Sequence, residues 1–259
     1  MERVYIGIDI GSTCAKTVVL DGERNILLRL LQPTGWSSVD TAEDIRARLS
    51  GEGFPVEEAA VVATGYGRVS VPYADRGVTE ITCHGRGACR IYGTPDLTVI
   101  DIGGQDTKII RIQDGAVSDF LMNDKCSAGT GRFLEIMANT LAVRPEELCG
   151  MAAHGGGTSI SSMCTVFAES EVISLIGRGE KRENIAFAVV DSIVKKVASQ
   201  AGRMSADQET VCLTGGLCEY PYLRQSLSAA LGRPVRTEAD GRYAGAVGAA
   251  LCAFSIRKA

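Results

Sequence analysis

Two stretches of the chain alternate short apolar runs with turns rich in glycine, serine and aspartate. Runs of this kind, closed by turn residues, predict β-strands joined by tight hairpins. In the first stretch the turns are Gly11–Thr13 and Asp21–Gly22, and in the second they are Gln105–Thr107 and Asp114–Gly115. The pattern therefore predicts two antiparallel β-meanders, with strands over residues 4–9, 16–20, 25–31, 97–104, 108–112 and 116–121.

The two meanders share a sequence pattern, which indicates an internal duplication. Asp9-Ile-Gly-Ser-Thr-Cys-Ala-Lys16 aligns with Asp101-Ile-Gly-Gly-Gln-Asp-Thr-Lys108 at an offset of 92 residues. This spacing is far too long for a solenoid repeat, so it predicts two homologous lobes. We expect an N-terminal lobe over residues 1–93 and a C-terminal lobe over 94–242, with the last helix, about 243–259, packing back on the first lobe.

Apolar residues at three- and four-residue steps predict helices between and after the meanders. The predicted helices cover residues 41–49, 131–141, 167–176, 184–204, 222–231 and 243–256, and a short buried strand covers 211–214. Strands and helices in this order predict an α/β fold with two lobes.

Composition and charge limit the possible classes of function. With 45% hydrophobic and 22% charged residues, the chain is typical of a globular protein and not of a disordered one. The net charge of −4 and the lack of a basic cluster argue against a nucleic-acid partner. No apolar run reaches the length of about 18 residues that crosses a bilayer, and no secretory leader is recognised, so we expect no membrane contact and a cytoplasmic location.

The turn after the first strand of each meander is a candidate phosphate site. A strand that delivers a carboxylate into a glycine-rich turn offers backbone N–H groups to phosphate oxygens and the carboxylate to Mg²⁺. One turn of this type is more often a plain hairpin, but two of them in duplicated lobes predict a nucleotide in the cleft between the lobes. The candidate residues are Asp9, Gly11, Ser12, Thr13 and Lys16 in the first turn and Asp101, Gly103, Gly104, Gln105 and Asp106 in the second.

A third glycine pair, Gly215–Gly216, follows the strand predicted at 211–214 and precedes a predicted helix. Glycine at this point allows a nucleoside or its phosphates to approach the backbone closely. The chain has no GxxxxGK[ST] stretch, so we do not expect a Walker-type phosphate loop. For Lys16 and Lys108 the alternative interpretation is a solvated strand residue.

Nine cysteines, an odd number without a CxxC spacing, argue against a disulfide framework, a zinc ribbon and a self-contained ferredoxin motif. Cys126 and Cys164 each precede a predicted helix, where free N–H groups and the helix dipole stabilise a thiolate. For the other seven we expect inert packing. Two thiolates make half of an iron–sulfur site, and a C2 dimer would supply the usual four.

The two phosphate turns and the later glycine pair occur in the order found in the actin, Hsp70 and sugar-kinase (ASKHA, ribonuclease H-like) superfamily of ATPases, which the chain resembles over nearly its whole length. The chain more specifically resembles the BadF/BadG/BcrA/BcrD ATPase family, the activator components of 2-hydroxyacyl-CoA dehydratases. The motifs that carry this resemblance are Asp9-Ile-Gly-Ser-Thr, Ala63-Thr-Gly-Tyr-Gly-Arg68, Asp101-Ile-Gly-Gly-Gln-Asp106, Asn123-Asp-Lys-Cys-Ser-Ala-Gly-Thr-Gly-Arg-Phe133, Cys164-Thr-Val-Phe-Ala-Glu-Ser-Glu-Val-Ile173 and Thr214-Gly-Gly.

The resemblance implies that Cys126 and Cys164 hold one [4Fe–4S] cluster between the two subunits of a homodimer. It also implies that reduced ferredoxin or flavodoxin supplies an electron, and that ATP hydrolysis drives this electron onto a partner enzyme. By position, Asp9 and Asp101 are expected to organise Mg²⁺, and Gln105 or Asp106 to position the attacking water. Ser127 stands where members of the family often carry alanine.

Alternatives stay open at this point for the partner and for the function. As an activator, the chain would act on a 2-hydroxyacyl-CoA dehydratase or on a related iron–sulfur reductase, such as a benzoyl-CoA reductase or a double-cubane-cluster enzyme. A small-molecule kinase of the same superfamily would phosphorylate a hydroxyl group and tolerate loss of Cys126. A nucleotide or redox sensor would bind ATP without turnover coupled to a partner.

Overall fold

The computed structural model describes residues 3–162, 164–204 and 210–256, and in this part of the chain the strands form two five-stranded mixed sheets. The strands are β1 Tyr5–Ile10, β2 Cys14–Leu20, β3 Ile26–Pro33, β4 Ala60–Thr64, β5 Arg76–Gly77, β6 Leu97–Ile102, β7 Thr107–Gln113, β8 Ala116–Asn123, β9 Val211–Gly215 and β10 Val235–Arg236. The helices are α1 Ser38–Gly51, α2 Glu80–Tyr92, α3 Gly131–Thr140, α4 Pro145–Ala152, α5 Thr165–Gly177, α6 Arg182–Ala201, α7 Pro221–Leu231 and α8 Ala244–Ala253.

The two sheets have the same topology, which confirms the duplicated α/β fold. The strand order is β3-β2-β1-β4-β5 in one sheet and β8-β7-β6-β9-β10 in the other. The equivalent central strands β1 and β6 begin and end at positions 92 residues apart, as the sequence offset predicts. Both are almost wholly buried, because a central strand covered on both faces requires a continuous apolar run.

Five elements escape the sequence patterns, namely the two-residue strands β5 and β10 and three longer elements. Strand β4 is a continuous apolar run, whose periodicity does not distinguish strand from helix. Helix α2 contains Gly85 and Gly87, which lower its helix propensity, and α4 is only eight residues long. Among the described residues, no helix combines the length and apolar character needed to span a membrane.

The described residues divide into two compact units, each with its own core. Unit 1 lies within Met1–Asp96, Arg111–Asp119 and Asp240–Ala259, and unit 2 lies within Leu97–Ile110 and Phe120–Ala239. Neither unit is a continuous segment. The C-terminal helix α8 belongs to unit 1, and α3 to α7 belong to unit 2.

Within unit 1, α8 packs against β1 and α2 through glycines that allow unusually close backbone approach. A Cβ on Gly248 of α8 would overlap the backbone oxygen of Cys83 in α2, and a Cβ on Gly87 of α2 would overlap that of Ala244. A Cβ on Gly7 of β1 would likewise overlap the backbone oxygen of Ala246. These contacts explain why small residues dominate α8, and they fix the helix against the strand that carries Asp9.

We expect the change Gly248→Ala to lower the free energy of unfolding by about 3 kcal/mol or more, because neither helix backbone can move aside without separating α2 from α8. Gly150→Ala is the matched control, since Gly150 also lies in a helix but has no atom within 4 Å of the added Cβ. That substitution is expected to raise stability by about 0.5–1 kcal/mol. Urea unfolding of both variants checks the difference, and equal effects would contradict the proposed close packing.

Candidate functional site

Asp9, near the end of β1, is a buried carboxylate with an unused acceptor. Asp9 is only 3% exposed, and its Oδ1 has no hydrogen-bond partner among the described residues. A Cβ on Gly65 would lie 2.5 Å from Oδ1, and a Cβ on Gly245 would lie 2.5 Å from Oδ2. Two glycines therefore make room for this carboxylate, and its free oxygen is suited to a water molecule or to hydrated Mg²⁺.

The Gly11–Thr13 turn beside Asp9 is anchored through its backbone. Gly11 N–H donates to the Cys14 oxygen at 3.1 Å, while Thr34 donates its hydroxyl to the Gly11 oxygen at 2.7 Å and its N–H to the Thr13 oxygen at 2.9 Å. The hydroxyl groups of Ser12 and Thr13 make no hydrogen bond within the described part of the chain. The turn is thus held in place while its hydroxyls stay available.

Lys16 pairs in register with Asp9 across β1 and β2. Its Nζ lies 3.8 Å from the position of a Cβ on Gly11, and it makes no ion pair with any other described residue. The ammonium group therefore stands beside the Gly11 turn with its charge uncompensated by a carboxylate, as a phosphate-binding lysine requires.

Asp101 of β6, the counterpart of Asp9 in unit 2, has a different environment. Its Oδ1 accepts a hydrogen bond of 2.8 Å from the Thr214 hydroxyl, and its Oδ2 lies 3.4 Å from Lys108 Nζ. Lys108 is 1% exposed and also pairs with Asp106 Oδ1 at 2.8 Å. The alternative interpretation, a solvated strand residue, is wrong for Lys108, which joins two carboxylates inside the unit.

The ion pairs of Lys108 distinguish Asp106 from Gln105, the two residues proposed to position the attacking water. The Asp106 carboxylate is committed to Lys108 and lies over Gly103, where an added Cβ would overlap Asp106 Oδ1. Gln105 is exposed, and its side chain makes no hydrogen bond among the described residues. Gln105 is therefore the freer of the two side chains.

A Thr–Gly pair recurs beside each carboxylate, and the sequence comparison of the two meanders missed it. Thr64 pairs in register with Asp9 across β1 and β4, and Thr214 pairs with Asp101 across β6 and β9. The following residues, Gly65 and Gly215, both have φ near +83°, in the left-handed region that favours glycine. The shared Thr-Gly dipeptide was the available signal, but its two copies are 150 residues apart instead of 92.

Gly215 and Gly216 differ in the space that a side chain would have at each position. A Cβ on Gly215 would overlap the Ile102 oxygen, so strand packing alone explains the first glycine. A Cβ on Gly216 would meet no atom within 4 Å, so space is open at the second. A cavity of about 540 Å³ lies between α4 and the start of α7, lined in part by Tyr220 and Tyr222, and neither glycine lines it.

The two candidate metal-binding cysteines occupy different positions relative to their helices. Cys164 is the N-cap of α5 and is exposed, as expected for a thiol at a helix entrance. Cys126 is half-buried in the loop before α3, whose N-cap is Thr130, so the expected position at a helix entrance is wrong for it. The helix dipole therefore acts directly on Cys164 only.

Hydrogen bonds hold the two cysteine-bearing segments together in unit 2. Ser127, next to Cys126, and Thr165, next to Cys164, lie with their hydroxyl oxygens 2.7 Å apart. The Asn123 side chain donates to the Cys126 oxygen at 2.8 Å. Two free thiols on adjacent, anchored segments fit half of an iron–sulfur ligand set, and soft thiolates are the donors that such a cluster prefers.

The segment before Cys164 is tied to α5 through Glu171. Ser161 donates its N–H at 2.8 Å and its hydroxyl at 2.7 Å to this carboxylate, and the Ser162 hydroxyl donates to it as well. The hydrogen bonds from Ser162 and Ser161 lower the pKa of Glu171. The residues before Cys164 are thus bonded to the helix that Cys164 caps.

The remaining cysteines are less accessible than Cys164. Burial raises the pKa of Cys149 to about 12 and also raises that of Cys89, which keeps both thiols protonated. Cys83 lies in α2 and is fully buried. These three environments agree with packing roles, whereas hydrogen bonds from Cys83 and Arg86 lower the pKa of Cys252, which departs from the expected inert packing.

Comparisons with known proteins extend over the whole chain. The model of the BadF/BadG/BcrA/BcrD ATPase family matches residues 6–253. The (R)-2-hydroxyglutaryl-CoA dehydratase activating ATPase of Acidaminococcus fermentans is 40% identical over 258 residues, which cover 98% of each chain. The activator of 2-hydroxyisocaproyl-CoA dehydratase from Clostridium difficile, solved with bound ADPNP, is 36% identical with a TM-score of 0.90, covering 97% of this chain and 94% of that one. A ROK family glucokinase from Streptomyces griseus shares the fold, with a TM-score of 0.63 at 17% identity over 98% of this chain and all of that one.

Proposed function

The chain belongs to the BadF/BadG/BcrA/BcrD ATPase family, and from this premise we propose that it is an ATPase that activates a 2-hydroxyacyl-CoA dehydratase by one-electron transfer. The observation that carries this proposal is the junction of the Cys126 and Cys164 segments in the same unit as the Asp101 turn. Phosphoryl transfer to a sugar hydroxyl does not require a pair of free thiols, so this arrangement does not favour a sugar kinase.

ATP and ADP bind through backbone and side-chain groups of both units. In unit 1, the Gly11 turn offers the free hydroxyls of Ser12 and Thr13 and the unpaired ammonium of Lys16. In unit 2, the N–H of Gly104 and the side chain of Gln105 contact phosphates, whereas the Gly103 N–H already donates to the Asp106 oxygen at 2.9 Å and so shapes the turn instead. Gly215 and Gly216 flank the nucleoside, with the open space at Gly216 as the support.

Asp9 is the residue best suited to organise Mg²⁺, because its Oδ1 is buried and unpaired. Asp101, already bonded to Thr214 and Lys108, acts on Mg²⁺ only through water. Gln105 orients the water that attacks the terminal phosphate, while Asp106 keeps Lys108 in place beside the turn.

Cys126 and Cys164, with the same two residues of a second copy, hold one [4Fe–4S] cluster, which supplies single-electron transfer when bound. The unit holds its two thiols through the hydroxyl contact of Ser127 with Thr165 and through the Ser161–Glu171 hydrogen bonds. The N-terminal N–H groups of α5 favour negative charge at Cys164.

Apolar side chains are exposed on α5 beside Cys164, and we propose that this surface contacts another protein chain. Val166 and Phe167 are 67% and 65% exposed, and Ile173 and Ile176 further along the helix are 57% and 43% exposed. Exposed apolar groups in this number on one helix are typical of a protein-binding surface. Reduced ferredoxin or flavodoxin is the electron donor, and the location is cytoplasmic.

The proposal is tested by preparing the protein without oxygen, reducing it with flavodoxin, and mixing it with a purified 2-hydroxyacyl-CoA dehydratase. We expect dehydration to start with MgATP and not with MgADP. ATP hydrolysis without activation of any dehydratase would favour the sensor interpretation, and ATP-dependent phosphorylation of a small alcohol would favour the kinase.

A further inference from the structure

The phosphate turn of unit 2 is bonded directly to the first residues of α3. Gly131 N–H donates to the Gly103 oxygen at 2.9 Å, and Arg132 N–H donates to the Gly104 oxygen at 2.8 Å. These two N–H groups belong to the first turn of α3, where no partner within the helix is available. Any shift of the Gly103–Gly104 backbone therefore moves the start of α3.

The loop before α3 makes one hydrogen bond to the phosphate turn and one within itself. The Thr107 hydroxyl donates to the Gly129 oxygen at 2.8 Å, and the Thr130 hydroxyl donates to the Ser127 oxygen at 2.6 Å. Thr107 and Thr130 are both buried, so water does not compete for these bonds. Residues 127–132 thus follow the phosphate turn as one bonded segment.

The last step reaches α5 through the Ser127 and Thr165 hydroxyls, which lie 2.7 Å apart. Thr165 is the first residue of α5, directly after the N-cap Cys164. A continuous series of hydrogen bonds therefore joins Gly103–Gly104 to the residue beside Cys164.

We propose that Ser127 is a positioning residue that transmits a change at the phosphate turn to the start of α5. Its hydroxyl passes the displacement of residues 127–132 on to Thr165, and so to Cys164. This role rests on the proposed function, because it requires a nucleotide at Gly103–Gly104. It assigns to Ser127 a coupling task that is distinct from holding metal or nucleotide.

Hydrogen exchange of the full chain, prepared without oxygen and measured with and without MgADP, tests the proposal. In the native chain we expect nucleotide to slow exchange in peptides covering 103–107, 127–132 and 164–170. In Ser127→Ala, protection at 103–107 should persist, while exchange at 164–170 with nucleotide should be about fivefold faster than in the native chain, as expected for the loss of one hydrogen bond.

Three further variants separate transmission from general loosening. Thr165→Val should reproduce the effect of Ser127→Ala, and Ser127→Thr, which keeps the hydroxyl, should restore protection. Ser170→Ala is the control and should leave protection at 164–170 unchanged, because among the described residues the Ser170 hydroxyl donates only to the Val166 oxygen of its own helix, at 3.2 Å.

Full nucleotide-dependent protection at 164–170 in Ser127→Ala would overturn the proposal and leave the proposed function intact. So would protection of the native chain at 103–107 without any at 164–170. If nucleotide protected no peptide of the native chain, the nucleotide site of the proposed function would fail and Ser127 would have nothing to transmit.

Discussion

Replacing Cys164 with serine is expected to remove nearly all bound iron and, with it, activation of the dehydratase. A serine oxygen is a hard donor that replaces a thiolate poorly on an iron–sulfur cluster. Because the residue is exposed at the start of α5, the substitution should leave the fold unchanged. Iron and acid-labile sulfide assays, beside thermal unfolding, measure both effects.

Cys89→Ser is the matched control for this experiment. Cys89 is a partly buried thiol of unit 1 whose burial raises its pKa, so it is a poor ligand. We expect this variant to keep its iron and its activity. A Cys164→Ser chain that retained the native iron content and full activation would rule out Cys164 as a ligand.

The change Lys108→Met is expected to lower the free energy of unfolding by about 3–5 kcal/mol. Methionine has a similar length but leaves the nearly buried carboxylate of Asp101 and that of Asp106 without their cation, and the loss of one partner of a buried pair carries a cost of this size. ATP hydrolysis should fall as well, since the Asp106 carboxylate would no longer be held by Lys108 beside the Gly103–Gly104 turn. Urea unfolding and a phosphate-release assay check the two effects.

Lys195→Met is the control for Lys108→Met. Lys195 pairs with Asp191 at 2.6 Å, but its side chain is 71% exposed, so its removal should cost about 0–1 kcal/mol. Similar losses of stability for the two variants would mean that the Lys108 cluster contributes no more than a surface ion pair.

The duplicated fold could be predicted because its signal is local. Alternating apolar residues and the Asp-Ile-Gly corners mark β1 and β6 at the expected spacing, and both strands have the predicted bounds to within one or two residues. The longer elements that were missed, β4, α2 and α4, acquire their structure from packing. In α2, for example, Gly87 lowers the helix propensity of the sequence, and only its close contact with α8 explains why glycine is present there.

The candidate site was predicted in its residue types and less well in its chemistry. Asp9 and Asp101 are equivalent in sequence, yet one has a free oxygen and the other is bonded to Thr214 and Lys108. In the second meander Asp106, which stands where the first has Cys14, also binds Lys108, while in the first meander the hydroxyl of Thr64 donates to the Val78 oxygen and not to Asp9. The Gly65 and Gly245 cradle around Asp9 joins residues far apart in sequence, so no local pattern revealed it.

Native mass spectrometry of the protein prepared without oxygen measures chains and metal in a single species. We expect a dimer whose mass exceeds that of two chains by four iron and four sulfide atoms, about 350 Da. A monomer, an iron-free dimer or a dimer with one cluster on each chain would show that Cys126 and Cys164 do not share a cluster across two copies.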